Sequence, residues 1–121
     1  MNRQPIDVPS LSRRLWRDAR NAGWTRAPIQ LTLGWRAVDA TQRRALEQLV
    51  LQEPAWSASP ADEYEPECDP LELIAYTVIH EPSLAEIEQR VAHIQRIMGA
   101  PGARVSRLGL GIPYEARFGD E

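Results

Sequence analysis

The sequence predicts an α+β fold, a small helical domain that ends in a C-terminal β-hairpin, winged-helix-like in outline. Two neighbouring stretches carry that expectation. Ser83-Leu84-Ala85-Glu86 forms a capping box, in which Ser83 can accept from the amide of Glu86 while the Glu86 carboxylate reaches back to the amide of Ser83. Leu84, Ile87, Val91, Ile94, Ile97 and Met98 then recur at helical period until Gly99 and Pro101 stop the helix. Beyond that stop, Arg104 to Leu108 and Ile112 to Phe118 read as two strands around Gly109-Leu110-Gly111. A long amphipathic helix followed by a short arginine-bearing hairpin is the skeleton of a winged helix.

Length and composition bound the rest. A chain of 121 residues suffices for one domain and is too short for two full ones, so residues 1–121 are read as a single unit. Its 43% hydrophobic and 26% charged residues are ordinary for a soluble globular protein. No apolar run approaches the roughly 18 residues that span a bilayer, and Met1 to Pro5 lack the apolar centre of a signal peptide, so a cytoplasmic protein with no membrane contact is expected. Cys68 is the one cysteine, which excludes an intrachain disulfide and a cysteine zinc cluster. The net charge of −3 conceals a segregation. Residues 1–44 carry nine arginines against three acids (+6), residues 45–89 carry eleven acids and no basic side chain (−11), and residues 90–121 carry five arginines and three acids (+2). All fourteen basic residues are arginine, the side chain suited to planar recognition of phosphate, carboxylate or guanine.

In chain order, residues 1–9 with Pro5 and Pro9 read as an extended arm. A helix is expected from about Ser10 to Ala22, with Arg13, Arg14, Arg17 and Arg20 away from its apolar side, either as a phosphate-tracking face or as a solvated one. Ile29 to Leu33 alternate as a short strand, and Gly34 and Trp35 lead into a helix capped by Asp39 with Gln42, ending before Pro54. Residues 53–69 hold three prolines and the acids Asp62, Glu63, Glu65, Glu67 and Asp69, and read as a loop. Three roles compete for it: a solvated connection, an internal partner for the arginine face, or an acidic surface that binds a basic protein or mimics nucleic acid. Asp69-Pro70-Leu71-Glu72 then reads as the start of a third helix, apolar over much of its circumference and ending near His80. The short turn at Pro82 would join it to the Ser83 helix as a helix-turn-helix, followed by the hairpin through Phe118.

These parts resemble the winged-helix DNA-binding domain of OmpR/PhoB-type response regulators. The likeness lies in the stretch from Asp39 to Pro54, with its threonine-led start, leucine run and terminal proline, and in Arg90 to Val105 followed by Gly109-Leu-Gly-Ile-Pro-Tyr114. By that resemblance Val91, His93, Ile94 and Arg96 match a recognition helix, and Gly109, Gly111 and Tyr114 a wing. The residues before Leu31 are too few for a receiver domain, so phosphorylation control is not implied.

The resulting expectation is a small non-catalytic regulator that binds double-stranded DNA. Gln89, Arg90, His93 and Arg96 would face base edges, while Arg104, Arg107 and Arg117 would hold phosphates. A phosphate-cradling loop, a dinucleotide fingerprint and a nucleophile elbow are all missing, and no enzyme, cofactor or metal is expected. The alternative is an adaptor or inhibitor of phage or mobile-element type that binds a protein through Asp62, Glu63, Glu65 and Glu67. Four tryptophans and a proline-rich arm leave room for a homodimer.

Overall fold

Alternation of apolar and polar side chains builds the sheet. The computed structural model describes residues 7–23, 28–60, 70–99 and 104–111. Their elements run α1 (Val8–Asn21), β1 (Ile29–Arg36), α2 (Ala40–Leu51), β2 (Ser57–Pro60), β3 (Glu72–Ile79), α3 (Leu84–Gly99) and β4 (Arg104–Gly111). The four strands form one antiparallel sheet in the order β2-β3-β1-β4. Both β1-α2-β2 and β3-α3-β4 are therefore crossovers between parallel strands, with a strand of the other unit between each pair. Two interleaved split βαβ units with one helix added in front define the topology.

Register sorts the side chains onto two faces. Ile29, Leu31, Leu33 and Trp35 of β1 lie beside Ile79, Thr77, Ala75 and Leu73 of β3, and beside Leu110, Leu108 and Val105 of β4. This face takes the helices. Leu46 and Val50 of α2, Ile87, Val91, Ile94 and Met98 of α3, and Val8 of α1 complete the core, with α3 in contact with both other helices and α1 reaching β4. Leu31, Leu33, Leu46, Leu73, Ile94 and Met98 are fully buried, and each such side chain contributes about 1.5–3 kcal/mol.

Local signals in the sequence set the helix ends. Asp39 accepts from the Gln42 amide at 2.8 Å, and the Gln42 side chain accepts from the Val38 amide at 2.7 Å. Ser83 accepts from the Glu86 amide at 3.1 Å. Asp7 caps α1 by accepting from the Ser10 amide, so this helix begins two residues earlier than the arm of residues 1–9 allowed. Pro9 is harmless in its first turn, where an amide has no helical partner.

Three expected elements are corrected. The third helix is instead strand β3: residues 72–79 are rich in β-branched and aromatic side chains, and their apolar run is that of a central strand, with Leu73, Ala75, Thr77 and Ile79 turned to the helices and Ile74, Tyr76 and Val78 on the other face. The segment before the Ser83 helix is thus a strand, not the first half of a helix-turn-helix. Part of the expected acidic loop is β2, paired with β3 from Ser57↔Tyr76 to Pro60↔Leu73. The hairpin turn at Gly109-Leu110-Gly111 is absent, because β4 runs straight through these residues, with Leu108 opposite Leu33 and Leu110 opposite Leu31 in the core. Apolar contact with β1 outweighs the turn tendency of two glycines. Residues 112–118, including Arg117, lie outside the described residues, as do Asp62, Glu63, Glu65 and Glu67. The α+β class holds.

Candidate functional site

The expected DNA-contacting side chains divide between opposite sides of the molecule. Gln89, Arg90, His93 and Arg96 are on α3, in the helix layer, whereas Arg104 and Arg107 occupy the sheet face turned away from all three described helices.

On α3, Arg90 is already matched. The Arg90 guanidinium donates from Nε to Glu86 Oε1 at 2.8 Å and from Nη1 to Thr77 Oγ1 at 2.6 Å and the Val78 carbonyl at 3.4 Å. Thr77, buried in the core layer, donates its hydroxyl to the Ala55 carbonyl at 2.7 Å. Arg90 thereby ties α3 to β3 and, through Thr77, to the turn between α2 and β2. His93 Nε2 lies 3.2 Å from Glu53 Oε1. These groups and Gln89 line a groove of about 320 Å³ beside the buried Trp56. Arg90 and His93 face carboxylates of the same fold; of the expected set on this helix Arg90 is half-buried, while Gln89, His93 and Arg96 are exposed.

The sheet face opposite the helices is ordered differently. Reading β4, β1, β3 and β2 across, its rows are Gly111, Gln30 and Val78; then Gly109, Thr32, Tyr76 and Ser57; then Arg107, Gly34, Ile74 and Ser59; and last Arg104, Arg36 and Glu72. Three arginines converge on its last two rows, and Glu72 is the one carboxylate there among the described residues. Glu72 accepts from Arg107 Nη2 at 2.9 Å and from the Ser106 hydroxyl at 2.6 Å. Gly34 makes this reach across β1 feasible: a Cβ there would lie 3.0 Å from Arg107 Cβ, 3.1 Å from Ser106 Oγ and 3.2 Å from Glu72 Oε2. The register shifts at Gly34/Trp35, so that Ser106 is the extra residue of a β-bulge, a device that re-aims side chains at sheet edges.

Arg36 and Arg104 are directly paired across β1 and β4. Like charges so placed destabilise a sheet by a few tenths to about 1 kcal/mol. Glu72 offsets part of this, and among the described residues Arg36, Arg104, Arg107 and Glu72 together carry a formal charge of +2. Arg13, Arg14, Arg17 and Arg20 of α1 add further exposed positive charge in the layer next to β4.

Sequence reasoning missed Arg36, Glu72, Ser106 and Tyr76 as site residues. Arg36 was within reach, because Gln30, Thr32, Gly34 and Arg36 continue the alternation begun at Ile29. Tyr76 and Glu72 were hidden by the helical reading of their segment. Among the described residues no three His, Cys, Asp or Glu side chains gather as metal ligands, and no helix is long and apolar enough to cross a membrane. Comparison with family models, curated proteins and solved structures finds no match for this chain.

Proposed function

We propose that this protein is a small non-catalytic regulator that binds nucleic acid through the arginine end of the open sheet face. The observation that carries the reading is the cross-strand pair Arg36 and Arg104 beside Arg107. A fold that sets like charges opposite one another breaks a local rule of sheet stability, and such departures gather at functional sites. A polyanion resting on this face removes the repulsion and meets planar donors that can bind a phosphate through two hydrogen bonds.

The recognition-helix version is the weaker reading. Arg90 is engaged with Glu86 and the buried Thr77, the exposed His93 lies beside Glu53, and the helix that would precede α3 in a winged helix is replaced by β3.

Fluorescence anisotropy on labelled duplex and single-stranded oligonucleotides of mixed sequence tests the proposal. Affinity should fall steeply between about 50 and 200 mM salt, and Arg104→Ala and Arg107→Ala should each lower the salt slope by about one. Absence of binding to every oligonucleotide at about 50 mM salt would overturn it.

A further inference from the structure

We infer that the open sheet face is a platform for single-stranded nucleic acid, with one base stacked on Tyr76 and the adjoining phosphates held by Arg36, Arg104 and Arg107. This inference rests on the nucleic-acid reading above and names the form of nucleic acid it requires.

Tyr76 is a half-buried aromatic side chain near the middle of that face, and its cross-strand neighbours are Thr32 and Ser57. Both neighbours are short, and Tyr76 keeps part of its surface exposed between them, whereas Ile74 in the next row is buried. In the same row, Gly109 carries no side chain, and a Cβ built there meets nothing within 4 Å, so the space above β4 beside Thr32 is open. With strands about 4.8 Å apart and alternate residues of a strand about 7 Å apart, the arginines lie one to two rows from Tyr76 and one to two strands across. A backbone crossing the sheet diagonally can therefore put a base on the ring and its neighbouring phosphates among the guanidiniums. Stacking on an aromatic face with a cationic track beside it is a sequence-tolerant way of holding a single strand.

A duplex uses this surface poorly. Its bases are stacked on one another and read by an element that enters a groove, usually a helix or a two-stranded ribbon. The sheet face lies between paired strands and offers Tyr76 no route to a base that stays inside the helix.

The test compares mixed-sequence oligonucleotides of about 12 nucleotides as single-stranded RNA, single-stranded DNA and duplex DNA, a length within the site sizes of known single-strand binders. A single strand should bind at least about tenfold more tightly than the duplex, and the RNA to DNA ratio identifies which strand the Gln30, Thr32 and Ser57 side chains favour. Tyr76→Leu should weaken single-strand binding about tenfold while Tyr76→Phe retains it. Gly109→Val supplies an arm independent of Tyr76: its side chain enters open space, so the thermal midpoint should hold while single-strand affinity falls. Duplex binding equal to or tighter than single-strand binding, still weakened by Arg104→Ala and Arg107→Ala, would overturn this inference and leave the broader reading standing. Unchanged affinity in folded Gly109→Val would also overturn it. Failure of all three oligonucleotides to bind would remove both.

Discussion

On α3, Arg90 and His93 each face a carboxylate of the same molecule, Glu86 and Glu53, and Arg90 also reaches the buried hydroxyl of Thr77. On the other sheet face, three arginines gather around Glu72, the one carboxylate there among the described residues, and two of them are set directly opposite each other. Residue types that look equivalent in the sequence thus do different work. A guanidinium bound by a carboxylate, a hydroxyl and a carbonyl has spent its donors on holding the fold, whereas a crowded group with excess charge gains from an external anion. Exposure alone does not separate the two regions; the balance of partners does.

The sharpest way to break the sheet side of that comparison is Gly34→Val. A branched side chain cannot enter a space where even a Cβ approaches three neighbouring atoms to 3.0–3.2 Å, so Arg107, Ser106 and Glu72 must move. A loss of about 3 kcal/mol is expected, the upper end for overpacking, together with weaker nucleic-acid binding. Chemical denaturation and anisotropy on the same preparation would check both effects.

Arg90→Ala probes the other side. It removes charge-assisted hydrogen bonds from a side chain 26% exposed, and Thr77 loses a donor to its buried oxygen. About 2 kcal/mol of stability should go, since bonds to charged groups are worth roughly 1.5–3 kcal/mol each. Nucleic-acid affinity at a temperature where the variant is folded should stay within about twofold, as expected for a residue outside the interface. A large affinity loss without loss of stability would return α3 to the candidate interface.

What the sequence made legible was mostly local. Capping pairs act within three residues, so Asp39 with Gln42 and Ser83 with Glu86 marked two helix starts correctly. The alternation from Ile29 likewise marked β1, although its continuation to Arg36 was cut short at Gly34. Residues 72–79 misled because a strand with apolar side chains on both faces and a buried helix have nearly the same composition, and because Asp69-Pro70-Leu71-Glu72 imitates a helix start. Glu72 is in fact occupied by Arg107 and Ser106, more than thirty residues away. The same distance effect governs the site. Arg104 and Arg107 stood out as a pair in the sequence, but their neighbour Arg36 arrives through β1 pairing, and Glu53 reaches His93 from the end of α2. Partners brought together by sheet order leave no periodic trace in one sequence.

Arg104→Ala has the smallest effect on the fold and the most direct bearing on the contrast. Arg104 is exposed, and its cross-strand partner in β1 is Arg36, so removing it deletes a repulsive neighbour and, among the described residues, no side-chain hydrogen bond or ion pair. Stability should change by no more than about 0.5 kcal/mol, with any change in the direction of greater stability at low salt, where repulsion is least screened. Nucleic-acid affinity should nevertheless fall, and the salt slope should drop by about one counterion. The opposite signs of the two effects are the discriminating feature: a solvated arginine with no ligand would leave binding unchanged, and a structural one would lower stability. Thermal unfolding at low and high salt, paired with anisotropy titrations at the same salts, would measure both signs in one variant.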